Sequence, residues 1–476
     1  MPWRKRGYVI LVLSIVVLAL FFVGCGKKKD VAEEGVYTGE VYPENGLPKD
    51  KNVTLSILFA EAGVQKSYFE YAVESFQDKF PNVTIEVKWM DGGIEAYRKL
   101  IKTIIQSDDS AAMPDWIQEL PGEHAFTLAK LKKLEPQDEI LERSFFDSPD
   151  LKVKEGTLAD VVYFDNHNHV YSLPMLSSIY GVFFNKKLLS NYGLDIPKTW
   201  SNFMEFSSKI KAQGIYPMVM AGKYASGYFS AGWGAIPYEL GGEEYIQKEY
   251  NYADDIYISR PFLEMLKRLE DYNKKGYIHP GTASFDHTQS QMELVQGKAA
   301  MITVGAWIAN EMREVTPDNF EWGFMPFPGV DNEEQDLYVR VATGNGGFIW
   351  KDKPELVKKW AKEFNLWLYN LDIQKKLAVG GGMPTRKDFS KQTSNLEDIS
   401  PSIAEAMINM KRSDVKVVNP SLRNPGKKDR IKDPIAIAKV SKILGDGLIQ
   451  IITGRKDANS VAKDLNNQYM KGLGKK

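Results

Sequence analysis

The chain has 476 residues, 43% hydrophobic, 26% charged and 12% aromatic, with 61 basic against 62 acidic side chains and a formal net charge of −1. The apolar and aromatic content excludes a mainly disordered chain, and the charge balance excludes a strongly basic nucleic-acid binder, so no nucleic-acid partner is expected. A single cysteine rules out an internal disulfide or a multi-cysteine metal centre, and five histidines leave little for a metal-dependent enzyme, while the length allows two or three domains with sizeable cores.

Arg4, Lys5 and Arg6 precede an apolar run from Tyr8 to Val23 that only Ser14 interrupts, the layout of a secretory signal. Gly24 followed by the lone Cys25 resembles the lipobox of bacterial lipoproteins, with Phe22 standing where leucine is usual. That resemblance implies a signal peptide over 1–24, cleavage before Cys25 and a lipid on its thiol that holds the chain to the membrane. The alternative is an uncleaved membrane helix; both put the bulk of the protein outside the cytoplasmic membrane. Residues 25–50, rich in Gly, Pro, Glu and Lys and without apolar periodicity, read as a flexible tether.

Beyond the tether the periods are clear. Val53, Leu55, Ile57 and Phe59 alternate as a strand; Phe69, Val73, Phe76 and Phe80 recur at helical spacing until Pro81. Val83, Ile85, Val87 and Trp89 alternate as a second strand, Tyr97 to Ile105 form a second amphipathic helix, and Asp115–Leu120 is the next candidate strand. This rhythm predicts an α/β lobe with helices on both faces of a sheet. A second set opens with the apolar run Gly181–Phe184 and continues through a helix capped by Thr199, a strand at Pro217–Met220, a helix bearing Phe262, Leu266, Leu269 and Tyr272, a helix capped by Asp286 or Thr288, and a buried strand at Ala299–Val304. Pro354 opens a helix with Leu356, Trp360, Phe364 and Trp367 on one face, and helices follow to the C-terminus, with Pro401 and Pro434 near their starts. Two α/β sets predict two lobes with a cleft between them, where open α/β sheets bind ligands.

Several segments, in order, resemble the family 1 extracellular solute-binding proteins, the sugar receptors of bacterial ABC importers: Phe80-Pro81-Asn82-Val83, Met113-Pro114-Asp115-Trp116, Val170-Tyr171-Ser172-Leu173-Pro174, Gly181-Val182-Phe183-Phe184-Asn185-Lys186, Ile196-Pro197-Lys198-Thr199-Trp200, Gly297-Lys298-Ala299-Ala300-Met301, Gly305-Ala306-Trp307 and Gly380-Gly381-Gly382-Met383-Pro384-Thr385. The resemblance spans roughly Val53 to Gly474. It implies a two-lobe type II periplasmic-binding-protein fold, a carbohydrate ligand, permease and ATPase partners in the membrane, a monomeric receptor, and no cofactor and no metal. By position, the crossings between lobes fall near Leu176–Tyr180, near Ile302–Thr303 and within or after the 354–370 helix. The first lobe is then 51–176 plus 304–368 and the second 177–303 plus 369–476.

A sugar offers hydroxyls and apolar C–H faces, so its receptor needs flat rings and polar side chains that pair with hydroxyls once water is excluded. The resemblance places Trp307 at a position that stacks on sugar, Glu61 among polar contacts after the first strand, and Met383 on a loop facing the cleft. Tyr228 and Trp233 lie in a segment, 228–242, with four aromatics and four glycines, which reads as a binding loop. Trp116 and Glu119 sit in the Pro-Asp strand on opposite faces, and Asn345 in Gly344-Asn345-Gly346-Gly347 is either a contact or a turn-former. His167 and His169 share a strand face but have no third ligand nearby, so they read as a polar loop. Two other readings stay open from the sequence: an anchored glycoside hydrolase or lyase, which needs a pair of carboxylates flanking the scissile bond, and a two-lobed receptor for a peptide or metal ion, which would recruit charged clusters in place of rings.

Overall fold

The alternation along Val53–Ala60 and Val83–Met90 produces two parallel strands, β1 and β2, in register from Val53↔Val83 to Ala60↔Met90. The computed structural model describes residues 37, 39–60, 66–90, 93–107, 113–118, 128–129, 131–157, 162–163, 169–332, 334–389, 399–420, 427 and 430–475. The signal segment and Cys25 lie outside the described residues, and among the described residues no helix is long and apolar enough to cross a membrane.

β3 (Trp116–Ile117) joins β1 in parallel. Two short hairpins follow, β4 (Ser144–Phe145) with β5 (Ser148–Lys152) and β6 (Val162–Tyr163) with β7 (Val170–Ser172). Next comes β8 (Pro174–Asn185), on which a second, larger sheet is assembled. β9 (Tyr216–Val219) pairs in parallel with β10 (Ala299–Gly305), and β10 runs antiparallel to β8. β11 (Trp322–Met325) and β12 (Leu337–Asn345) also lie antiparallel to β8. β13 (Phe348–Ile349) returns to the small sheet beside β3, β14 (Met383–Pro384) pairs with the start of β8, and β15 (Val415–Val418) closes the far edge beside β12. The small sheet has the order β13-β3-β1-β2, and the large one β15-β12-β8-β10-β9 with β11 and β14 also on β8. These two sheets define two lobes.

The local signals act as expected. Thr199 accepts from the Asn202 amide at the start of helix Trp200–Ala212, and Asp286 and Gln289 form a reciprocal cap on His287–Val295. The small lobe is held by rings: Phe59, Phe69, Phe76, Phe80, Trp360 and Phe364 are all fully buried and pack against one another, many edge to face.

Two expectations about organisation change. Residues 39–50 are not a loose tether. Val41 bridges Pro48, Tyr42 is buried against Phe80 and Trp360, and its hydroxyl donates to Asn82, whose side-chain amide donates to the Pro48 and Lys51 carbonyls. The buried Tyr42 ring and the hydrogen bonds gathered on Asn82 together anchor this strap to the small lobe. The lobe boundaries also move. After β10 the chain turns through Trp307 and returns as β11 and then β12, both on β8, so 304–345 belongs to the large-sheet lobe rather than the first. The helix Leu371–Val379 packs on Lys66–Lys79 in the small lobe, with Lys376 over the Tyr71 ring.

The chain therefore crosses at the start of β8, at Gly344–Gly347 and at Gly380–Arg386. The second crossing is pinned where the Gly346 amide donates to the Leu173 carbonyl and Ser172 Oγ donates to the Gly346 carbonyl. A Cβ on Gly347 would fall 1.7 Å from the Trp116 indole, so only glycine passes there. The third is pinned by the buried Arg386, which bonds Asp147, Ser148, Asp388 and the Tyr369 carbonyl above the Phe145 ring.

In the large lobe Glu239 is fully buried; its Oε2 accepts from the Gly329 amide at 2.6 Å, and Arg268 donates to the carbonyl of the same residue. Burial pushes its carboxyl up to about 8, against the opposing pull of the Gly329 and Tyr338 amides and Arg268. Because the folded value is raised, the cost is absent below about 4.5, grows as the unfolded chain ionises alone, and levels off above about 8. Glu239→Gln should therefore flatten the fall of stability with pH across that window, which carries a slope of up to about 1.4 kcal/mol per pH unit. Urea denaturation of both proteins at several pH values checks this.

Candidate functional site

At the C-terminal end of β10 a row of residues crosses the large sheet. Register sets Gly305 opposite Tyr180 on β8 and Tyr180 opposite Arg340 on β12. Trp307, two residues beyond the strand, folds its ring back over Gly305: a Cβ there would lie 2.0 Å from the indole. The Trp307 ring meets Tyr180 edge-on, with centroids 5.6 Å apart at 89°, and remains half-buried. Its backbone turn is fixed by Ser402, whose Oγ donates to the Ala306 carbonyl and accepts from the Ala309 amide.

Helix Ala225–Gly232 covers the face that carries Tyr180 and Arg340. Thr303 donates to the Tyr228 carbonyl, and Arg340 Nη1 donates to the Ser230 carbonyl at 2.5 Å. Between this helix, the sheet and the C-terminal helices lies a cavity of about 430 Å³, with Tyr180, Ser226, Gly227, Tyr238, Glu249 and Arg340 among its walls. That volume falls within the roughly 300–1,000 Å³ usual for small-molecule sites. Tyr238 donates to Glu249 at 2.5 Å. Burial pulls the Arg340 guanidinium down, but Tyr238 and Glu249 outweigh it and hold the group charged.

A polar chain links the helix His287–Val295 to Tyr228 and Glu311. Gln291 donates to Glu311 at 2.6 Å and to the Tyr228 hydroxyl at 3.3 Å, and that hydroxyl lies 3.0 Å from His287 Nδ1, whose ring stacks on Tyr224 with centroids 3.7 Å apart. Burial raises the Tyr228 phenol and the Glu311 carboxyl and lowers His287, so each is favoured in its neutral form.

The residues singled out from the sequence divide sharply. Trp307 is at the site. Tyr228 is buried, its carbonyl accepting from Thr303 and its hydroxyl beside His287 and Gln291. Trp233 does not belong to an open loop: it is fully buried in a short helical turn, among Phe229, Tyr272 and Phe327. Trp116 is likewise a core residue of the small lobe, its Nε1 donating to Asn365 at 2.7 Å. A ring with no exposed surface offers a ligand no platform. Met383 is half-buried at the third crossing, where pairing with Ser177 sets it on the face opposite Tyr180. Asn345 ends β12 at the second crossing, opposite Pro174. Glu61 and Glu119 lie outside the described residues, as does His167; His169 pairs with Asp138 at 2.9 Å. Tyr180, Ser226, Gly227 and Arg340 were missed. Arg340 had a signal, a charge placed between Val339 and Val341 in an apolar alternation.

A two-sheet, two-lobe α/β chain with a half-exposed ring and polar side chains set in a row across its large sheet is built as a solute-binding receptor. The family model for bacterial extracellular solute-binding proteins matches residues 62–375, and the chain belongs to that family. It is 25% identical over 416 residues to an uncharacterised ABC transporter extracellular-binding protein of Pyrococcus horikoshii, covering 82% of this chain and 87% of that one. It is 21% identical over 343 residues to the diacetylchitobiose binding protein NgcE of Streptomyces coelicolor, covering 70% of each. Among solved structures, a chitin oligosaccharide binding protein superposes with a TM-score of 0.64 at 19% identity, over 89% of this chain and 99% of that one.

The burial contrast is testable. Trp233→Ala should cost about 3–5 kcal/mol of stability, the range for truncating a buried aromatic, and Trp307→Ala less than about 2 kcal/mol. Denaturant titration of the two variants gives the comparison.

Proposed function

We propose that this chain is an extracellular receptor that captures a carbohydrate between its lobes and passes it, chemically unchanged, to an ABC importer. The observation that carries this reading is the half-exposed Trp307 ring, laid across Gly305 and flanked by Tyr180 on the large sheet. A flat ring beside hydroxyl-bearing side chains suits the apolar face and polar edge of a sugar. Lobe closure around the solute selects one conformation for the membrane partner to recognise. The sugar-binding relatives support it, as does an export signal at the N-terminus. Asn345 at the second crossing, with Glu61 and Glu119, supplies the further contacts in this proposal, and Tyr228 is a buried support for the helix that covers the site. The receptor acts as a monomer, held to the outer face of the membrane by a lipid on Cys25. No step in this cycle makes or breaks a bond, so the protein is not an enzyme.

Trp307→Ala should weaken sugar binding by about 1–3 kcal/mol, read by calorimetry. Chromatography of the wild type incubated with oligosaccharides should show no products; new sugars in the mixture would overturn binding without turnover. Cys25→Ser should move the protein from the membrane fraction to the medium or soluble fraction, and a variant still bound to membrane would contradict the lipid anchor.

A further inference from the structure

The cavity beside Tyr180 has walls from the large lobe alone, yet it begins at a residue that also touches Trp307. Its walls are mixed in a particular way. Tyr257 offers aromatic surface; Ser226 and Ser230 offer hydroxyls; Arg340 can only donate and a carboxylate such as that of Glu249 can only accept. The two charges are tied through the Tyr238 hydroxyl and largely answer each other. A sugar hydroxyl both donates and accepts, so one ring can satisfy both groups; an added carboxylate would gain at Arg340 and lose at Glu249.

Two glycines shape the space. A Cβ on Gly234 would come within 2.7 Å of Arg340 Nη1, so glycine there lets the guanidinium lie against the backbone. Gly227, exposed on helix Ala225–Gly232, faces open space: a Cβ there meets nothing within 4 Å. It lines the cavity at its solvent-facing side, in a helix where any larger residue except proline has better intrinsic propensity.

We propose that this cavity receives the terminal ring of the captured carbohydrate and selects an uncharged one. The inference rests on the carbohydrate-receptor reading and deepens it: the sugar lies with an inner unit on Trp307 and its end unit past Tyr180, between Arg340 and Glu249. The ligand then has at least two units.

The test is calorimetry on the full chain in detergent, with diacetylchitobiose, maltotriose, raffinose and digalacturonate as probes and melting temperature as the control for folding. The wild type should bind one or more of the three neutral sugars and bind digalacturonate at least tenfold more weakly. Gly227→Phe should lose at least a hundredfold in affinity for that neutral sugar with its melting temperature unchanged, and the shorter plug Gly227→Leu should lose less. Undiminished binding by a folded Gly227→Phe or Gly227→Leu, or digalacturonate binding as tight as the neutral sugars, overturns the proposal. If Trp307→Ala weakens binding while Gly227→Phe does not, the cavity assignment falls and the receptor reading stands. If the wild type binds none of the four probes, the receptor reading itself falls.

Discussion

One strand holds the molecule in register. β8 runs twelve residues from the lobe crossing into the large sheet and carries four antiparallel partners, β10, β11, β12 and β14. A slip of one residue would turn every side chain on it to the other face. Two glycines help prevent that slip. A Cβ on Gly181 would strike the Phe324 ring at 2.3 Å, and one on Gly323 would strike Phe184 at 2.4 Å, so each strand presents a ring to the other's bare backbone. With that register fixed, Tyr180 stands between Gly305 and Arg340, and the site follows from it.

The small lobe contributes anchorage rather than walls to the cavity. Its ring core holds Trp116, Trp116 holds Asn365, and Asn365 shares the Gly347 carbonyl with Gln137. This buried amide chain is closed on itself, which is the condition for a polar network to stabilise a core. It fixes the second crossing just beyond β12, while Arg386 fixes the third. Both crossings are thus rooted in the small lobe and lead into the large sheet beside the start of β8.

Much of the fold was legible in the sequence because two periods dominate it. β1, β2 and the helices with Phe69 or Leu266 on their buried face announce themselves, and Thr199 and Asp286 cap as their chemistry requires. The second crossing was misplaced because β10 is buried along its whole length. A uniformly apolar strand says that it lies inside and nothing about which sheet the chain rejoins. The site was less legible for a related reason. Tryptophan serves cores and ligands with the same apolar surface, and composition alone did not separate Trp307 from Trp116 and Trp233. Glycine context did not separate them either, since Trp233 stands between Gly232 and Gly234 as Trp307 stands near Gly305. Residues 39–50 misled in the opposite direction: Gly and Pro suggested slack, and Tyr42 supplied the buried ring that removes it.

The most direct measurement is a crystal structure of the protein grown with the neutral oligosaccharide that binds it. The account predicts a sugar ring within about 4 Å of the Trp307 indole, a normal packing distance, with the crossings bent and the Gly305–Tyr180–Arg340 row unchanged. A sugar bound away from that row, or a liganded structure in which Tyr180 and Trp307 touch nothing but protein, would contradict it.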